Sequence, residues 1–432
     1  MSKLQIILIG VSIFFTAIAV LIITGVLPGV LKERTAAANL TIWGFEKDGV
    51  FDEIFRGYTG DNRSIQIKYV PKNRETFEND FVNSLARLEA PDIVLFPSDF
   101  LQQQSDKLSV APPILITERE IRQDFIEAGS FFLNDGNEVL GIPLYADALI
   151  LYWNRDLFNK NFITLPPATW DDFAQDAAVL TEKDAEGNIK IAGAALGRAI
   201  NIKQAPNILT ALFLQAGEKI VDEKGQFILG NSLTTGNTLL QPAESSLRFF
   251  TEFSNRAKVT QSWSGALPEA KELFIAGNLA MYIGPISEYK EILAKNPHLN
   301  FAPTNLPQLK GATTPSTYGT VYALAVPKLS QNYQAAWNLI KYLTSQKISI
   351  EVAKAVESVS PRRDTLGYYN GDAVRSVFAR AVLTLQLWRN PSPQNVDNIF
   401  RILIEDSALG RATLREILNN TTARLKELTK SR

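Results

Sequence analysis

Between residues 40 and 97 the chain alternates between two hydrophobic periods, and this restricts its fold more than any other feature. LTIWGF (40–45) is short, β-branched and aromatic, as a strand is. In VFDEIFRGYT, Val50, Ile54, Phe55 and Tyr58 recur at helical spacing. SIQIKYV (64–70) sets Ile65, Ile67 and Tyr69 on one face of a half-buried strand. Residues 74–88 carry Phe77, Phe81, Leu85 and Leu88 as a helical stripe, and PDIVLFP (91–97) is a wholly apolar strand. The order β-α-β-α-β predicts a parallel sheet covered by helices, an α/β fold. Ligands on such sheets bind beyond the carboxyl ends of the strands. Those ends are Trp43-Gly44-Phe45-Glu46 and Pro97-Ser98-Asp99-Phe100.

Further strands are predicted at ALILYWN (148–154), AGAALGR (192–198), NLAMYIG (278–284) and YGTVYALAVP (318–327). Apolar residues on both alternating faces make 148–154 a central strand. The helix after Ala168 starts on Thr169 as N-cap, with Asp171 and Asp172 in its first turn where the helix dipole favours them. More helices are predicted at 206–217, 242–257, 268–276 and 333–345, and a helical pair split by Gly410 closes the chain.

Composition narrows the chemistry. With 44 Lys+Arg against 45 Asp+Glu there is no basic field to hold a nucleic acid. No cysteine is present, which excludes disulfides, a cysteine-ligated zinc and a thiol nucleophile. The single histidine, His298, reads as a surface turn residue, so a transition-metal site or a histidine-dependent triad is not expected. Glycine-rich nucleotide loops are absent, and no cofactor is expected.

Leu4 to Leu31 contains no charged residue and exceeds the roughly 20 residues that span a bilayer. Residues 1–38 therefore read as a membrane anchor or signal, an uncleaved transmembrane helix being preferred because the small-residue site Ala36-Ala37-Ala38 lies beyond Lys32-Glu33-Arg34. The remainder, from about residue 39, is expected outside the cytoplasm.

Aromatic residues gather at strand ends and crossovers: Trp43, Phe45, Phe96, Phe100, Tyr145, Trp153, Trp263, Tyr318 and Trp388. Each alone reads as core. As a set, with Glu46, Ser98, Asp99 and Asp147 nearby, they suit a cleft that stacks on a polyhydroxylated ligand while carboxylates accept its hydroxyl protons.

Several segments, in order, resemble the extracellular solute-binding proteins of ABC importers, family 1, the maltodextrin-binding-like group. LTIWGF resembles the family's first strand and APDIVLFPSD its third. GIPLYADALILYWNRDLF followed by PPATWDDF resembles its G-x-P…L-x-Y-N-K-D-L-F…P-x-T-W block. FIAGNLAM with Gly284-Pro285, and YGTVYALAVP followed by AAWNLIKYLTS, resemble the two blocks after that. The resemblance covers roughly residues 40–430.

It implies a two-lobe periplasmic-binding-protein-like fold of type II, with three crossing hinge segments, preceded here by the N-terminal transmembrane helix. By motif position the crossings fall near Tyr145–Leu149, Tyr318–Ala323 and Gln386–Gln394. Lobe one would be 40–146 with 322–388, and lobe two 148–318 with 391–432. The implied ligand-binding residues are Trp43, Phe45, Glu46, Ser98, Asp99, Tyr145, Asp147, Trp153, Arg198, Ile286, Tyr318 and Trp388. Two departures touch the sugar assignment. Ile286 stands where sugar binders often have tryptophan, and Trp153 interrupts the family's Tyr-Asn-Lys-Asp.

The implied role is a membrane-anchored, monomeric, non-enzymatic capture protein that delivers a small solute, a carbohydrate, to importer permease subunits. Alternatives are a sensor or receptor uncoupled from transport, and an extracellular glycoside hydrolase, for which Asp99 and Asp147 would be the carboxylate pair. Trp153→Ala and Asp147→Ala are expected to weaken binding more than folding, although whether Trp153 stacks on ligand or packs in the core stays open.

Overall fold

The computed structural model describes residues 37–222, 225–231, 233–235 and 238–430. The apolar segment Leu4–Leu31 lies outside them, and among the described residues no helix is long and apolar enough to cross a membrane. The strands are β1 (Ala38–Gly44), β2 (Ile65–Pro71), β3 (Ile93–Pro97), β4 (Ile142–Asn154), β5 (Glu182–Lys183), β6 (Ile189–Ala194), β7 (Leu233–Thr235), β8 (Thr238–Leu240), β9 (Leu279–Pro285), β10 (Phe301–Thr304), β11 (Thr317–Ala325) and β12 (Leu385–Gln386).

β2, β1 and β3 pair in parallel, as the β-α-β-α-β order predicts. β11 then joins antiparallel, Tyr322 to Ala325 lying beside Pro97 to Val94. β4 is nearly twice the length read from the sequence, because Gly141-Ile142-Pro143 leads straight into the apolar run. Its first part pairs with β11 and its second with β9 and β10. β4 therefore enters one α/β half and completes another, made of β10, β4, β9, β6 and β5. The expected AGAALGR strand is shifted: β6 ends at Ala194, and Ala195 to Arg198 form a loop.

The two long strands touch closely where they cross. A Cβ on Gly319 would fall onto the Asp147 carbonyl oxygen and 2.8 Å from the Ala148 Cα. Any side chain here wedges β11 away from β4. Gly319→Ala is expected to cost about 1–3 kcal/mol, as overpacking does, read as a lower midpoint in urea unfolding. An unchanged midpoint would show that the strands separate freely.

Each half packs its sheet between helices. On one face of the first, Ile42 and Leu95 meet Trp337, Ile340 and Val352 from the helices Tyr333–Leu343 and Gln346–Ala355. On the other face Phe77, Phe81 and Phe96 are fully buried, with ring centroids 6.0, 6.2 and 5.8 Å apart. Leu88 departs from the predicted stripe: it is 79% exposed and left-handed, because its helix ends at Ala86. In the second half the helix Trp170–Leu180 starts as read, Thr169 and Asp172 exchanging hydrogen bonds in a capping box.

One boundary is corrected. The helix Ala373–Leu383 lies within the span expected of lobe one, yet it packs on the other half. Phe378 meets Tyr289 at 5.7 Å, and the Asn305 amide donates to the Val377 carbonyl at 3.1 Å. Just before it, Arg363 still donates to the Phe125 carbonyl of the first half at 2.6 Å. The chain thus passes onto the second half between Arg363 and Ala373, while within the expected crossing Gln386–Gln394 the Arg389 guanidinium lies 3.6 Å from Asp135 of the first half. The apolar face of Val377, Phe378 and Val382 decides this, because it covers strands of the second half.

Candidate functional site

β4 and β11 supply a floor between the halves. Thr320 lies opposite Asp147 and Tyr322 opposite Tyr145, so all four share one face of the sheet. The Tyr145 and Tyr322 rings stack at 4.8 Å. The Tyr145 hydroxyl donates to Glu46 Oε1 at 3.0 Å, and the Glu46 amide donates to the Tyr69 hydroxyl at 3.0 Å. Burial pushes the Glu46 carboxyl up, with the Asp147 charge adding to the rise and the Tyr145 hydrogen bond opposing it. Burial likewise pushes the Tyr322 phenol up to about 12.

Beyond the end of β3, Asp99 is held from three directions. Arg74 Nη2 donates to its Oδ2 at 2.6 Å, Thr320 Oγ1 to its Oδ1 at 3.0 Å, and Ser98 Oγ to the same Oδ1 at 3.4 Å. Ser98 also accepts from the Val321 amide at 3.2 Å, which ties the end of β3 to β11. The Arg74 guanidinium sits over three rings, 4.5 Å from Phe100, 5.7 Å from Phe45 and 6.0 Å from Tyr322.

In front of this group opens a cavity of about 380 Å³ between the halves. Arg74, Glu75, Asp99 and Phe100 line it from the first half. Tyr318 and Trp388 face it from the crossing strand and from the segment after β12. The second half contributes the amides of Asn207, Asn390, Gln394 and Asn398, with Thr210 and Asp397. Amides and hydroxyls both donate and accept, so the lining suits a ligand rich in hydroxyl groups. Among the described residues no cluster of histidine or carboxylate side chains could hold a metal ion.

The expected site residues are not all brought together. Asp99, Tyr318 and Trp388 line the cavity. Phe45 and Ser98 lie directly behind it, under Arg74 and Asp99. Trp43 sits aside, with Lys72 Nζ 3.7 Å over its ring. Glu46 and Tyr145 face one another on the floor. The Asp147 carboxylate is taken up by Ser287, accepting from its amide at 3.0 Å and its hydroxyl at 2.6 Å. It anchors the turn after Gly284-Pro285. Arg198 is paired with Glu405 at 2.6 Å, and Glu405 also accepts from the amides of Ala199 and Ile200.

Two residues are corrected. Ile286 is 1% exposed, its side chain turned into the core. Trp153 is 9% exposed and packed edge-on to Phe158 at 5.0 Å, so it is core rather than a stacking platform. Arg74, Thr320 and Tyr322 were missed. The alternation Tyr318-Gly-Thr320-Val-Tyr322 marks the last two as sharing a face with Tyr318. Arg74 lies in a loop and carries no such signal.

The family of bacterial extracellular solute-binding proteins matches this chain over residues 45–349. The chain belongs to that family. It is a binding protein rather than an enzyme. A Deinococcus radiodurans protein named "Probable ABC transporter-binding protein" is 25% identical over 313 residues, covering 67% of this chain and 70% of the relative. Among solved structures, the sugar-binding protein MalE from Xanthomonas citri superposes with a TM-score of 0.76 at 18% identity, covering 91% of this chain and 98% of that one. A cyclo/maltodextrin-binding protein complexed with maltotetraose gives a TM-score of 0.72 at 20% identity, over 90% of this chain and 96% of that one. These likenesses show the two-lobe α/β fold that β4 and β11 join.

Proposed function

We propose that this solute-binding protein captures a carbohydrate in the cavity between its halves and delivers it to the permease subunits of an ABC importer. The observation that carries the reading is the cavity's chemistry. The aromatic residues Tyr318 and Trp388 face a wall of side-chain amides, with Asp99 fixed as an acceptor. Sugar C–H faces stack on rings, and sugar hydroxyls pair with groups that both donate and accept. The Xanthomonas neighbour is a sugar-binding protein and the other neighbour holds maltotetraose, which supports the same class. The name of the Deinococcus relative supports the importer.

On this reading one lobe comprises 40–146 with 322–370, and the other 148–318 with 373–430. They close on the ligand by bending at the three crossings. Residues 1–38 anchor a monomer in the membrane with its lobes outside the cytoplasm. A thermal-shift screen of the purified full-length protein against sugars, amino acids, peptides and polyamines tests the ligand class. Sugars alone are expected to raise the melting temperature, since a ligand selective for the native state stabilises it. A shift by peptides or polyamines with none by any sugar would overturn the carbohydrate reading. Turnover of any ligand would overturn the binding role.

A further inference from the structure

We infer that Asp99 and Arg74 act together as a charge filter that restricts the cavity to uncharged ligands, and that removing either partner turns the site toward ligands of the opposite sign. The inference rests on the carbohydrate reading above and sharpens it.

Arg74 is the one cation that lines the cavity among its described residues, while Glu75, Asp99 and Asp397 line it as carboxylates. Its charge is already committed, because Asp99 Oδ2 lies 2.6 Å from Nη2. Side-chain exposures of 33% and 22% leave both groups within reach of an occupant. Across the cavity Asp397 is paired with Arg401 Nε at 2.8 Å. Arg401 cannot turn to a ligand, since Nη1 and Nη2 donate to the carbonyls of Ala199 at 2.9 Å and Lys203 at 2.7 Å. An acidic sugar would thus meet more carboxylates than cations, and its carboxylate would have to compete with Asp99 for the Arg74 charge. An amino sugar would have to compete with Arg74 for the Asp99 charge.

Neither partner is free to move off. The three rings beneath Arg74 hold its guanidinium whether or not Asp99 is charged. Thr320 and Ser98 hold Asp99 whether or not Arg74 is present. Each group therefore remains in position to receive a ligand ion when its partner is neutralised. A planar guanidinium so placed matches a carboxylate with two parallel hydrogen bonds.

Calorimetric titration tests this with three probes of similar size: a panel of neutral disaccharides, digalacturonate, and the glucosamine dimer. The wild type is expected to bind at least one neutral disaccharide and to prefer it to digalacturonate by about tenfold or more. Asp99→Asn should raise the affinity for digalacturonate by about ten- to a hundredfold, in a salt-dependent manner. The double variant Arg74→Gln/Asp99→Asn should lack that gain. Arg74→Gln alone should raise the affinity for the glucosamine dimer instead, so the filter stays testable if Asp99→Asn does not fold. Equal wild-type affinity for neutral and acidic disaccharides would overturn the filter and leave the carbohydrate reading intact, as would an acidic-sugar gain that persists in the double variant. A wild type that binds none of the probes would overturn both.

Discussion

Trp153→Ala is expected to lower the free energy of unfolding by about 3–5 kcal/mol, the range for deleting a large buried ring, and to leave ligand affinity of the folded protein unchanged. The ring is 9% exposed. It packs against Phe158 at 5.0 Å and carries the Arg155 guanidinium at 5.4 Å. Its strand neighbours are Met281 of β9 and Ala302 of β10, so the cavity left by alanine would open at the centre of the second sheet. Little of that space can collapse, because both flanking strands are pinned by their ladders. Urea unfolding measures the first expectation and calorimetric titration the second. Intact stability with lost affinity would return the ring to the binding site.

The opposite pattern is expected for Trp388. It is half-buried, lines the cavity beside Tyr318, and touches the core through an edge-on contact with Phe227 at 6.2 Å. Trp388→Ala should weaken sugar binding by about 2 kcal/mol, roughly thirtyfold, the scale of an aromatic anchor in a binding interface. Stability should change less than for Trp153→Ala, because part of the ring already faces water. Titration of the wild type and both variants with the same sugar compares the two sites directly. Unchanged affinity in Trp388→Ala would move the stacking surface elsewhere in the cleft.

These two tryptophans show where the sequence is legible and where it is not. Period-2 alternation places Tyr145 and Asp147 on one face of β4, and the structure puts them opposite Tyr322 and Thr320. Alternation cannot say which face of a strand buried on both sides looks at a ligand, and Trp153 sits in such a strand. The Arg74–Asp99 pair joins residues 25 apart, one in the turn after β2 and the other in the 3-10 helix Ser98–Phe100 after β3. It becomes visible only when parallel pairing of β2, β1 and β3 brings those strand ends together. The passage onto the second half lies earlier than expected for a related reason. Trp388 and the prolines near it mark a connection, but the apolar face of the helix Ala373–Leu383 decides which half that helix joins, and only packing reveals this.

The β3–β11 ladder also bears on how the protein is made. Leu95 waits for Leu324, and Phe96 for Ala323. A ribosome has finished the strands β4, β5, β6, β9 and β10 of the second half before it supplies the strand that closes the sheet of the first. Until then β3 presents an unpaired, wholly apolar edge, the kind of surface to which chaperones bind and along which nascent chains aggregate. Pairing between such distant segments is intrinsically slow. The order of translation thus leaves the sheet of the N-terminal half open until after the strands of the second half are made, although its own first strands are the first to emerge.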